Sequence, residues 1–257
     1  MPGDPATTLL GLDFDGTLSH VVDDPAEAYA HPDSLAALSR LGTRLGRIAI
    51  ITGRPVDQAL RLGGFRGRAG LDALVICGQY GAERWDAATD TRRAPERPAA
   101  VAALLERLPD LLAEHDASHV RIEDKVLAVA VHTRGISDSL LAELDAPLRE
   151  LAADLGLHVE PGRQVLEMRG VRSDKGESLR TMAQESGART VVYAGDDLGD
   201  LPAFEEVERL RADGLTGLLV ASASDEEDAL TERADAVLDG PDAVAAWLTA
   251  WADALEA

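Results

Sequence analysis

At 257 residues with a formal charge of −21 and a pI near 4.5, the chain can form one or two globular domains and is too acidic for nucleic acid as a main ligand. Its one cysteine, Cys77, excludes an internal disulfide framework and suits a reducing compartment. No basic-then-apolar leader opens the chain and no apolar run is long enough to span a bilayer, so the expectation is a cytoplasmic protein with no membrane partner.

The first element is a buried strand, Thr7 to Leu12, running into Asp13-Phe14-Asp15-Gly16-Thr17. Residues i and i+2 of a strand face the same side, so Asp13 and Asp15 are expected to converge on one cation. Asp-Gly is also a turn dipeptide, but that explains Asp15 and not Asp13. A helix is expected over Pro32–Leu41, then a strand at 47–51 ending in Thr52-Gly53-Arg54-Pro55, with Pro55 suited to the first turn of the next helix. A third buried run, Ala73 to Cys77, ends in Gly78-Gln79-Tyr80-Gly81. Cys77 reads as a small buried hydrophobe. These strand-turn-helix units predict an α/β fold with a parallel, doubly wound sheet.

The pattern then changes. Residues 86–98 read as a connection, followed by a helix over 99–114, two strands around Glu123-Asp124-Lys125, and a helix over 138–155. Two further strands, 157–160 and 164–169, are joined by Pro161-Gly162. This is a small α+β domain inserted over residues 89–170, with 1–88 and 171–257 forming the core. The parallel grammar resumes with a helix opened by Asp174-Lys175-Gly176 and a strand 190–194 that runs into Gly195-Asp196-Asp197. A helix, two strands and a terminal helix over 241–255 complete the chain.

Four clusters fall at strand C-termini or helix N-termini of the core: Asp13/Asp15/Thr17, Thr52/Gly53/Arg54, Lys175, and Asp196/Asp197/Asp200. In open α/β sheets ligands bind at that edge. The residue types suit phosphoryl transfer, with Asp13 as nucleophile and Asp15 as general acid, then base. Asp196, with Asp200 or Asp197, supplies further oxygen ligands for Mg²⁺. Thr17, Thr52, Gly53 and Lys175 are assigned to the phosphoryl oxygens. Asp200 is equally a good helix N-cap. Only Lys125 and Lys175 among the 25 basic Lys and Arg residues are lysine, which marks both positions as places where a compact ammonium is wanted.

The motifs Asp13-Phe14-Asp15-Gly16-Thr17, Thr52-Gly53-Arg54, Lys175-Gly176 and Gly195-Asp196-Asp197 resemble, in this order, the four motifs of the haloacid dehalogenase superfamily. That resemblance implies a Rossmann-like core with an inserted α+β cap of the C2 type. Gly78-Gln79-Tyr80-Gly81-Ala82-Glu83, Ile122-Glu123-Asp124-Lys125, His132-Thr133-Arg134 and Val165-Leu166-Glu167 are most similar to the trehalose-6-phosphate phosphatases within it. The likeness implies Asp13, Asp15 and Asp196 around Mg²⁺, with Asp200 added here. It also implies a sugar-phosphate substrate bound by Arg54, Gln79, Tyr80, Glu123, Lys125, His132, Arg134 and Glu167, the cap residues reaching sugar hydroxyls as the cap closes. Three positions depart from the family pattern: Tyr80 replaces a histidine, Thr133 an aromatic, and Gly199-Asp200-Leu201 a Thr-Asp-Glu. Phosphatases of sucrose or glycosylglycerate phosphate, a phosphohexomutase, and a non-catalytic sugar-phosphate sensor are the alternatives. No oligomeric state follows from the sequence.

Overall fold

The computed structural model describes residues 3–133, 136, 138–162, 164–223 and 229–257. The chain divides into two units, Met1–Arg93 with Ser173–Ala257, and Ala94–Arg172. Both boundaries fall slightly later than the sequence pattern places them.

In the first unit, β1 (Thr8–Leu12), β2 (Arg47–Ile51), β3 (Leu74–Gly78), β10 (Thr190–Gly195), β11 (Thr216–Ser222) and β12 (Ala236–Leu238) pair in parallel. The sheet order is β12-β11-β10-β1-β2-β3-β4-β5, closed at one edge by the antiparallel strands β4 (Glu83–Asp86) and β5 (Thr91–Arg93). Strands buried on both faces need apolar side chains on both, and alternate residues feed two cores. Leu10, Leu12, Ile48, Ile50 and Ile76 pack on one side with α1 (Pro32–Leu41), α2 (Val56–Gly63) and α7 (Gly240–Glu256). Leu9, Ile51, Val75, Cys77 and Tyr193 pack on the other with α5 (Lys175–Ser186) and α6 (Leu201–Ala212). Burial pushes the Cys77 thiol up to about 12, so it is an inert core residue.

The predicted connection after residue 86 is in part the β4–β5 hairpin, a short exposed strand of Thr91-Arg92-Arg93 that carries no apolar alternation. The third parallel strand is followed by a 3-10 turn, Gln79–Gly81, and this hairpin, not by a helix.

The second unit comprises β6 (Arg121–Asp124), β7 (Ala128–His132), β8 (His158–Gly162) and β9 (Val165–Arg169), paired antiparallel in the order β6-β7-β9-β8, with α3 (Ala99–Glu114) and α4 (Asp138–Asp154). Val129, Val131, Leu166 and Met168 pack with Leu104, Leu108, Leu144 and Leu148. Glu123 and Asp124 belong to β6 (Arg121–Asp124), and the reversal comes at Lys125–Leu127, where Val126 has φ 70°. Likewise Pro161 and Gly162 remain paired in β8 (His158–Gly162) with Leu166 and Val165 of β9 (Val165–Arg169). The turn predicted there falls two positions later, with Gln164 at φ 52°.

Candidate active site

Strand order reverses at β1: the chain moves to β2 and β3 on one side, and β10, β11 and β12 lie on the other. Such a switch point leaves a crevice beyond the strand C-termini. Asp13 follows β1 and Asp196 follows β10, and Asp13 N–H donates to Ala194 O at 2.9 Å, holding the two strand ends side by side. Gly16 has φ 74°, and a Cβ there would collide with the Asp196 carboxylate. Glycine is therefore required for close approach as well as for the turn.

Asp13, Asp196 and Asp200 each offer an oxygen, all within 4.8 Å of one another. Lys175, the first residue of α5, donates from Nζ to Asp13 Oδ1 and Asp200 Oδ1, both at 2.7 Å. Lys175, Asp13 and Asp200 are buried at 3%, 4% and 0% exposure. One ammonium thus faces three carboxylates. Burial pushes the Asp196 carboxyl up to about 10, helped by the neighbouring charges of Asp13 and Asp200. Burial also raises Asp13 well above the usual carboxylate range, although Lys175 opposes it. Burial alone would lower Lys175; Asp13 and Asp200 more than reverse this and raise it.

Asp196 Oδ1 is buried with no hydrogen-bond partner among the described residues. An orphaned carboxylate oxygen beside an excess of buried negative charge is what a divalent cation would satisfy, and an all-oxygen donor set suits Mg²⁺. Asp200 is less available. Its Oδ1 accepts from Lys175 and from Tyr193 Oη at 2.6 Å, and its Oδ2 from the backbone N–H of Asp196 and Asp197 at 3.1 and 3.3 Å. Four donors occupy the lone pairs it would give an ion, so Asp200 anchors Lys175 and the 196–200 loop. Asp197 caps the short turn that follows, accepting from Gly199 N–H at 2.9 Å.

Asp15 is not in the carboxylate cluster where the sequence pattern put it. Arg54 grips it with two bonds, Nε to Oδ2 at 2.7 Å and Nη2 to Oδ1 at 2.5 Å, and also donates to Pro25 O at 2.8 Å. The expectation of a shared direction fails because β1 ends at Leu12, and period-two alternation ends with it. Arg54, expected to meet substrate, is only 7% exposed and is spent on this carboxylate, since a buried guanidinium needs a fork-shaped acceptor. Thr52 Oγ1 accepts from Arg54 N–H at 3.1 Å, which leaves its own proton to donate. Thr17 Oγ1 is fully buried with no partner among the described residues. Gln79 is buried, with Nε2 on Glu83 Oε1 at 2.7 Å, while Tyr80 lies against Gly53.

In the second unit, the register aligns Glu123, Ala130, Glu167 and Glu160 across one face of the sheet. Lys125 Nζ pairs with Glu167 Oε2 at 2.6 Å and His132 Nε2 with Glu123 Oε2 at 2.9 Å. The His132 bond holds the Glu123 carboxyl down at about 2. Arg134 lies outside the described residues. Tyr193 was not singled out by sequence, although a phenol in a buried aliphatic strand calls for a polar partner.

Residues 11–236 match the family model described as trehalose-phosphatase. The chain belongs to the trehalose-phosphatase family. Over 254 residues it is 32% identical to the trehalose-phosphate phosphatase of Mycobacterium avium (strain 104), covering 95% of this chain and 62% of that protein. This trehalose-phosphatase family member thus spans less than two thirds of the length of that relative. A solved structure, the crystal structure of a trehalose-6-phosphate phosphatase related protein, matches with a TM-score of 0.73 at 23% identity, covering 96% of this chain and 98% of that one. A haloacid dehalogenase-like hydrolase from Bacteroides thetaiotaomicron matches with a TM-score of 0.65 at 16% identity, covering 95% and 99%. These two establish the fold, that of the haloacid dehalogenase-like hydrolases. Among the described residues no helix is long and apolar enough to cross a membrane.

Proposed function

We propose that this chain is a Mg²⁺-dependent phosphatase that hydrolyses trehalose 6-phosphate to trehalose and phosphate through an aspartyl-phosphate. The observation that carries the reading is the buried group of Asp13, Lys175 and Asp196 at the switch point of the sheet, in a chain of the trehalose-phosphatase family. Asp13 and Asp196 would hold the ion, and Asp200 fixes their surroundings. When bound, Mg²⁺ neutralises charge between the nucleophile and the phosphoryl group.

An Asp13 oxygen attacks phosphorus, and the bond from phosphorus to the sugar oxygen breaks. Asp15, entering this step as the neutral acid with one oxygen released from Arg54, gives the sugar oxygen its proton. A water then attacks the phosphorus of the aspartyl-phosphate, Asp15 takes the water's proton, and Asp13 is regenerated as phosphate leaves. Lys175, bonded to Asp13, offsets the developing negative charge, with the Thr52 and Thr17 hydroxyls and the Gly53 backbone as further donors. Arg54 holds the Asp15 carboxylate in one orientation. Glu123 and Glu167 accept from sugar hydroxyls and Lys125 donates, with Gln79, Tyr80, His132 and Arg134 completing the recognition set.

Tyr80 and Thr133, where the family usually carries histidine and an aromatic, favour one second reading, another sugar phosphate as substrate. A panel of phosphorylated sugars assayed for phosphate release, with and without EDTA, decides between them. Trehalose 6-phosphate is expected to be the fastest; equal rates across the panel would reject the assignment. On that panel Lys125→Ala is expected to lower kcat/KM for trehalose 6-phosphate by about 10- to 100-fold, the worth of a hydrogen bond to a charged group, with 4-nitrophenyl phosphate little affected. Equal losses on both would remove Lys125 from sugar recognition.

A further inference from the structure

We propose that Glu83 is a positioning residue for substrate recognition, fixing the Gln79–Tyr80 turn against the Thr52–Arg54 loop. Glu83 is 1% exposed, an acid buried on the edge strand β4. Its Oε2 accepts from Val56 N–H at 2.8 Å, and its Oε1 accepts from Gln79 Nε2 at 2.7 Å and Arg92 Nη2 at 3.2 Å. The bond to Val56 serves a helix that lacks a cap of its own. α2 begins after Pro55, which offers no side-chain acceptor, and Glu83 places a negative charge at this N-terminus from a distant strand.

The other bond restrains an unusual piece of backbone. Gln79 and Tyr80 both adopt left-handed φ, 47° and 60°, which side chains other than glycine visit only when their surroundings impose it. Gln79 N–H donates to Arg54 O and Tyr80 N–H to Thr52 O, both at 2.9 Å, so the turn lies directly on the phosphate-binding loop. A Cβ on Gly53 would be 2.8 Å from the Tyr80 hydroxyl oxygen, so the ring is seated on that glycine. Ser178 Oγ donates to Tyr80 O at 2.9 Å from α5, the helix that carries Lys175. The turn therefore joins the Thr52 loop to the Lys175 helix, and Glu83 is the side chain that holds its first residue and the start of α2 together. Being one buried carboxylate with three donors, it cannot lose one partner without leaving others unsatisfied.

The proposal rests on the reading of these strand ends as the phosphoester site, and deepens it by naming what sets the recognition turn. The test uses the full chain with Mg²⁺, trehalose 6-phosphate and 4-nitrophenyl phosphate. Glu83→Gln keeps the volume but turns a donor toward one of the three donors. It is expected to raise KM for trehalose 6-phosphate about tenfold, the loss of one charged hydrogen bond, with kcat and aryl-phosphate turnover within about threefold. Amide hydrogen exchange is expected to quicken in residues 78–82 and 54–57 alone. Equal losses on both substrates, or an unchanged KM beside an active parent enzyme, would overturn the proposal alone. No phosphate release from the parent would overturn the phosphatase reading and this proposal with it. Should Glu83→Gln fail to fold, Arg92→Ala loosens Glu83 from its exposed side, and an expected rise in KM of about threefold carries the same decision.

Discussion

The Asp13→Asn variant is expected to release phosphate at least about 10⁴-fold more slowly than the parent enzyme, as removal of a nucleophile does elsewhere. The carboxamide keeps the shape but cannot form an aspartyl-phosphate. Folding is not expected to suffer. Asp13 is one of three carboxylates facing a single ammonium, and its carboxyl is raised by burial, so its charge destabilises the metal-free fold at neutral pH. Lys175 keeps its second partner, Asp200, at 2.7 Å. A melting temperature equal to or above the parent's is therefore the companion result. Undiminished turnover would reject Asp13 as nucleophile, and an unfolded variant would show that the Lys175–Asp13 pair is structural first.

Removing divalent metal with EDTA is expected to lower turnover to below about 1% of its starting value, and Mg²⁺ to restore it. The same site gives this effect a pH signature with a definite sign. Asp196 is pushed up to about 10 from 3.8, so between those values the folded chain holds a proton there that the unfolded chain has lost. Stability of the metal-free protein at this group therefore falls as pH rises through that window. A cation that binds Asp196 displaces the proton, so the gain in melting temperature on adding Mg²⁺ is expected to be larger at pH 8 than at pH 6. Full activity in EDTA, or a gain independent of pH, would contradict a metal held by these carboxylates.

The parallel core was legible because aliphatic runs at Leu9–Leu12, Ile48–Ile51 and Val191–Ala194 each end in polar residues, a pattern with few other uses. The order of those polar residues located the candidate site, and the scarcity of lysine drew attention to two positions that the structure places in ion pairs. Lys175 and Lys125 each end in a short ion pair with a buried carboxylate. What sequence did not carry depends on geometry beyond a strand's end. Alternation placed Asp15 beside Asp13, but the strand stops at Leu12 and Arg54, distant in sequence, claims the carboxylate. The hairpin of β4 and β5 went unseen because an exposed edge needs no apolar face. Tyr193 and Glu83 act through buried hydrogen bonds to residues on other elements, and neither bond has a periodicity to announce it.

A crystal structure of the full chain with Mn²⁺ and beryllium fluoride, a mimic of a phosphoryl group on an aspartate, decides whether Asp13 and Asp196 form a phosphoryl-transfer centre. The expected result is one anomalous peak ligated by the Asp13 and Asp196 carboxylates, with the fluoroberyllate bonded to an Asp13 oxygen. An ion bound elsewhere, or a fluoroberyllate that leaves Asp13 bare, would rule out Asp13 as the phosphoryl acceptor beside a metal.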